Sequence, residues 1–217
     1  MWKFIIFSAF ILSFTIQSWT QDAQHFNGTL TYRIERVDVN DSVQAKMILF
    51  ARDSLLKIVH FSSNLGRQET IKHLIYQKKY VLIETEQGKF AVQMKDSVDV
   101  SEGEKYTFES CRGKAKIAGI KGKKMKLIHP QLQHELSIVY TPSISAKYLD
   151  AFTQLPGLAL EYYVVSEAGL FKYTLESIDR KTPPLSLFMI PSDYQKISLK
   201  AFRELSAKSA SSINRNN

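Results

Sequence analysis

The chain has a single cysteine, Cys111, in 217 residues. One thiol excludes an internal disulfide framework and a thiolate metal cluster, so the fold must rest on burial. Cys111 is left either a bond to another molecule or the role of a half-buried small residue. Glycine is sparse as well, at nine residues, and Gly119 and Gly122 lack the strand-to-helix setting of a phosphate loop. No serine sits in a G-x-S-x-G elbow. His134-Glu135 opens like a zinc-protease motif, but Ile138 stands where the second histidine belongs. His129 and His134 are separated by Pro130 in a β setting that does not aim both rings at one point. Catalytic carboxylates pair in space, so Glu84 with Glu86 or Asp96 with Asp99 remain open as surface groups or as a reactive pair. The expectation is a non-enzymatic protein with no cofactor and no metal.

Long apolar runs are missing beyond residue 20, which argues against an integral membrane protein. The first residues are different. Met1, Trp2 and Lys3 precede an uncharged run from Phe4 to Ile16, too short for a permanent span, and Ser18 and Thr20 supply small residues before Gln21. That is the layout of a cleavable secretory signal over residues 1–20. No cysteine follows it to carry a lipid anchor, so the expected destination is the periplasm or the outside of the cell.

Acid is absent from one stretch of a chain whose net charge is +8. Between Arg112 and Lys126 stand Lys114, Lys116, Lys121, Lys123 and Lys124 with no Asp or Glu among them. Such a stretch attracts polyanions, of which anionic headgroups and acidic polysaccharide are nearer an exported protein than nucleic acid. A solvated strand face is the plain alternative.

What fills the chain is β pattern. Leu30, Tyr32 and Ile34 alternate with Thr31, Arg33 and Glu35 after the turn-forming Asn27-Gly28. Further strands are expected at Gln44–Ala51, Leu55–Phe61, Glu69–Tyr76, Lys79–Thr85 and Lys89–Met94, with a hairpin link at Gln87-Gly88. An acidic loop, 96–104, precedes strands at Lys105–Glu109, Lys114–Ala118, Lys123–His129 and His134–Thr141. Leu158–Val165, Gly169–Asp179 and Leu185–Ile190 complete the set. Ser143–Gln154 has Ile144, Tyr148, Leu149 and Phe152 at helical spacing and predicts the one clear helix, ended by Pro156-Gly157. There Pro fixes φ and Gly permits a positive one, which lets the chain turn sharply. The tail should hold a short helix from Leu199 and then fray into disorder from Ser206. The expected architecture is mainly β: a strongly curved antiparallel sheet of about nine to eleven strands, an unclosed barrel over 21–198, with one or two helices on its concave face.

From Lys116 onward the chain resembles a known group. Lys116-Ile117-Ala118-Gly119-Ile120-Lys121-Gly122-Lys123-Lys124 is followed by Val139-Tyr140-Thr141-Pro142, then Leu155-Pro156-Gly157-Leu158, then Leu187-Phe188-Met189-Ile190-Pro191-Ser192-Asp193-Tyr194. This order is similar to the GLPGLI-type exported proteins of Gram-negative bacteria and, through them, to the periplasmic lipoprotein carriers of the LolA-like fold. The resemblance implies an unclosed β-barrel whose helices lid an apolar cavity. Thirteen Phe and ten Tyr suit a packed core first, since burial of large rings is the main way such a sheet is stabilised, and an open apolar cavity second. If a cavity exists, Tyr140, Tyr148, Phe152, Leu155, Leu158 and Tyr162 are the candidate contacts for a lipid, acyl chain or lipoprotein. Lys121, Lys123, Lys124 and Lys126 are the candidate contacts for an anionic surface or a cell-envelope protein. Salt separates the two, since charge contacts weaken with ionic strength and acyl burial does not.

Overall fold

The computed structural model describes residues 25–38, 45–62, 66–95, 106–149 and 152–213. The expected signal and the acidic loop 96–104 lie outside the described residues. Twelve strands form one sheet. In chain order they are β1 (Gly28–Arg36), β2 (Ala45–Arg52), β3 (Leu55–Ser62), β4 (Gly66–His73), β5 (Lys78–Thr85) and β6 (Gly88–Lys95), then β7 (Thr107–Ile117), β8 (Ile120–Ile128), β9 (Leu136–Thr141), β10 (Leu158–Ser166), β11 (Gly169–Asp179) and β12 (Gln195–Ser198). Their order across the sheet is β12-β6-β5-β4-β3-β2-β1-β11-β10-β9-β8-β7, so the sheet is unclosed, with edges at β12 and β7. All pairings are antiparallel except that of β12 with β6.

Alternation decides which face is inner. Leu30, Tyr32 and Ile34 are buried on β1, and register carries the same face to Met47 and Leu49 on β2, Ile58 on β3, and Leu175 and Tyr173 on β11. Arg33, Glu35, Glu161, Lys172 and Glu176 take the outer face, where Arg33 pairs with Glu35 and Glu176 and Lys172 pairs with Glu161. The sheet curls hard at its β7 end. Tyr106 reaches across to β10, where its hydroxyl accepts from the Val165 N–H at 2.8 Å. β9 pairs with β10 only as far as Glu161, and Tyr106 satisfies backbone beyond that point.

Three expectations change. The segment 143–154 forms no amphipathic helix among its described residues, but a 3-10 turn at Ala146–Tyr148. The Ser145 hydroxyl accepts from Lys147 N, Leu149 is already extended, and the Leu158 N–H donates to Ile144 O at 2.8 Å, so the strand end holds the segment flat. Leu185–Ile190 is a 3-10 turn over Leu185–Phe188, because Pro183-Pro184 enters it and Leu187 N bonds back to Pro184 O. Lys105–Glu109 and Lys114–Ala118 are parts of one strand, β7, joined through a bulge between Ser110 and Lys114. After the second 3-10 turn, Ile190 and Tyr194 pack on Ile71, Leu82 and Ala91 at the outer face. β12 then adds to β6, and α1 (Leu199–Ile213) follows, with Phe202 edge-on to Phe90 at 5.8 Å. The helix runs through Ser206 to Ile213.

Gly157 serves closeness rather than a left-handed turn. A Cβ placed on it would stand 2.1 Å from Thr141 O. Gly157→Ala should therefore destabilise the fold by ~1–3 kcal/mol through overpacking, read as a lowered midpoint in chemical denaturation. High pH should do likewise. The Tyr32 phenol is fully buried and held protonated far above its ordinary 10.0 by desolvation, and burial also raises Tyr173. Unfolded tyrosine ionises near 10 while these stay neutral, so their contribution is whole below pH ~10 and falls as pH climbs beyond it. Denaturation midpoints measured from pH 8 to 11 should drop above ~10, less steeply in Tyr32→Phe.

Candidate functional site

The six apolar candidates are all buried. Phe152, 1% exposed, lies at the centre of an aromatic chain. Its ring meets Tyr106, Phe108 and Tyr162 edge-on at 4.9, 5.3 and 5.5 Å. Tyr162 stacks on Tyr173 at 4.7 Å and meets Tyr32 at 5.9 Å. Tyr32 in turn donates to Ala159 O at 2.8 Å. Leu155 follows Phe152 in a tight turn, its N–H bonded to Phe152 O at 3.2 Å, and Leu158 begins β10 opposite Thr141.

Tyr148 stands apart from that chain. Its hydroxyl accepts from Phe26 N at 2.8 Å and donates to Asp53 O at 3.4 Å, and its ring meets Phe26 edge-on at 6.0 Å. It ties the 143–149 segment to the start of β1 and the β2–β3 turn, and burial raises its pKa. Tyr140 is placed differently again, directly opposite Lys123 of β8.

The lysines divide. Ala118 and Gly119 both have positive φ, 47° and 79°, which makes a tight hairpin between β7 and β8. That turn sets Lys116 opposite Lys121, and Lys114 opposite Lys123. Four exposed ammonium groups thus share one face of the hairpin tip, with no carboxylate among the described residues paired to them. Lys124 has the opposite parity and lies along Gly113. Lys126 is neutralised by Glu135 at 2.6 Å, which raises its pKa. The basic cluster is therefore Lys114, Lys116, Lys121 and Lys123 rather than Lys121 to Lys126.

Alternation along β8 then joins the two sets. Lys121, Lys123, Met125 and Leu127 follow at intervals of two and pass from exposed to buried. Leu127 faces Phe108, which touches Phe152. One strip of sheet thus runs from free cations to the central aromatic cluster. Tyr106 and Phe108 belong to it without having been singled out from sequence, because they needed the curl of the sheet; Lys114 and Lys116 were visible in the basic stretch but not among its candidate contacts, and the Ala118-Gly119 turn is what sets them opposite Lys123 and Lys121.

The two close histidines of the sequence are placed differently. His129 is buried, its ring 4.7 Å from that of Tyr106 and its Nδ1 accepting from Gln131 N, while His134 is exposed. Among the described residues no three His, Cys, Asp or Glu side chains gather as metal ligands would, and no helix is long and apolar enough to cross a membrane.

The fold defines a class first: a mostly β protein made of a single unclosed sheet of twelve strands. No family model matches the chain, and no curated protein matches it. Among solved structures it is similar to MucB in complex with MucA(peri), with a TM-score of 0.44 and 16% identity over 80% of this chain and 57% of that one. The Pseudomonas aeruginosa MucA/MucB complex gives 0.44 and 18% identity over 82% and 60%. PNGF-II in its C2 crystal form gives 0.48 and 14% over 84% and 33%. The chain spans about three-fifths of the two MucB chains and one third of PNGF-II.

Opposed like charges cost stability. Lys121→Glu, facing Lys116, should raise unfolding free energy by ~0.2–1 kcal/mol, measured by urea denaturation at low salt, with the gain shrinking as salt is added.

Proposed function

We propose that the protein is an exported, non-enzymatic binding protein whose ligand is an anionic amphiphile: a lipid, an acyl chain or an acylated protein. The observation that carries this reading is the strip on β8, where Lys121 and Lys123 lie on the same face as Met125 and Leu127 and lead to Phe152. Its acidic end would rest among Lys114, Lys116, Lys121 and Lys123. The chain of the ligand would displace Phe152, with Tyr140, Leu155, Leu158 and Tyr162 as the surrounding wall and Tyr148 as the fixed end of the moving segment. Export is supported by the composition of residues 1–20, and kinship with the GLPGLI-type proteins by the Leu155–Leu158 tetrapeptide.

A second reading keeps the lysines and drops the cavity: a cell-envelope protein that docks on an anionic surface or partner. It is favoured by the dense packing around Phe152 and by the four exposed ammonium groups.

Fluorescent fatty acid and an uncharged monoacylglycerol of equal length separate the two. The amphiphile reading expects both to bind, the fatty acid more tightly, and a variant with all four lysines changed to Glu to lose roughly tenfold or more for the fatty acid only. Failure of both ligands to bind would sink it. Loss of envelope association in the same variant would then support docking.

A further inference from the structure

The most exposed large apolar side chains among the described residues are neighbours, Ile75 at 71% and Tyr76 at 69%. They form the tip of the β4–β5 hairpin, Leu74–Gln77, far in sequence from the lysine-bearing hairpin. Exposed apolar residues scattered singly need no explanation, but a pair at a hairpin tip is an arrangement with a use.

The tip is held in place. Leu74 packs against the central core, and its N–H donates to Ser54 O of the neighbouring turn at 2.8 Å. Tyr76 N donates to His73 Nδ1 at 3.3 Å, the His73 and Tyr76 rings lie 4.3 Å apart, and Gln77 takes a φ of 50° to close the turn. Ordering entropy is therefore lost before any contact is made. Within the hairpin the charge near the tip has one sign. No acid occurs between Glu69 and Glu84, a stretch that holds Lys72, Lys78 and Lys79, and Lys78 is exposed beside the tip. The acid on the adjoining turn, Asp53, keeps its charge and turns its carboxylate to Asn27, whose Nδ2 donates to Oδ1 at 3.4 Å.

An aliphatic residue and a tyrosine on a fixed tip, flanked by lysine, match the interface of an anionic bilayer: the apolar pair enters the acyl boundary, the phenol stays at headgroup level, and lysine meets phosphate. We propose that the Leu74–Gln77 tip is a reversible membrane-contact site for anionic phospholipid. It is independent of the amphiphile site and lies on a different hairpin.

The test uses the full chain without residues 1–20 and sedimentation with vesicles of phosphatidylglycerol and phosphatidylethanolamine, with phosphatidylcholine vesicles for comparison. Wild type should sediment with the anionic vesicles and not with phosphatidylcholine. Ile75→Asp with Tyr76→Asp should reduce that binding by roughly tenfold or more, since the apolar area that enters the interface is lost. Both positions are exposed, so thermal denaturation should be unchanged. Ile75→Trp reads the contact directly. Both native tryptophans, Trp2 and Trp19, lie within residues 1–20, so the introduced indole is the sole tryptophan of the shortened chain and its emission should shift to the blue on adding anionic vesicles. Absence of wild-type binding, equal binding by the double-Asp variant, or an unshifted emission from the Ile75→Trp variant overturns the proposal. Binding lost only when Lys114, Lys116, Lys121 and Lys123 become Glu would also overturn it and assign the membrane contact to the β7–β8 hairpin.

Discussion

A sheet that curls without closing must find cover for its inner face, and in this protein Phe152 joins that cover to the sheet. Phe152 meets three rings edge-on and thereby links the turn after β9 to the first residues of β7 and to the middle of β10. Tyr106 fixes the curl from the other side, by a hydrogen bond into a stretch of β10 that β9 does not reach. Burial of rings of this size, with edge-on geometry, supplies both area and direction. The rest of the β7 end follows: with the curl set, Phe108 must face inward, and the hairpin tip beyond it must project its lysines away from the core.

Polar groups are treated unequally across the sheet. On the outer face of β3 and β4, Lys57 is nearly enclosed and pairs with Glu69 at 2.7 Å, with Arg67 on the same carboxylate. Removing one partner there would strand a charge in a poor solvent. At the β7–β8 tip four lysines face one another in water with no such partner among the described residues. A chain that neutralises one cation so closely and leaves four together has used the same residue type for two purposes.

Most strands were legible in the sequence because period-two alternation is local, and the turns at Asn27-Gly28 and Gln87-Gly88 punctuate it. β12 was not. Three of its four residues are polar, and only the edge of β6 makes them a strand. Ile144, Tyr148, Leu149 and Phe152 have helical spacing, yet the hydrogen bonds from Lys147 N to the Ser145 hydroxyl and from Leu158 N to Ile144 O hold that backbone in a turn, so the period was an accident of four buried side chains. Of the site, the basic stretch was visible as composition. Which lysines stand together depended on hairpin register, and which of them is neutralised depended on Glu135, on the far side of the β8–β9 connection.

The parallel pairing of β12 with β6 has a consequence for biosynthesis. To reach that edge the chain crosses the outer face after β11, with Tyr194 bonded to Glu84 and Lys89 to Asp193 along the way. The strand that shields β6 therefore emerges from the ribosome after the other eleven strands of the sheet, when its template has long been complete. Until then the nascent sheet carries a bare edge, a template on which a sibling chain can pair.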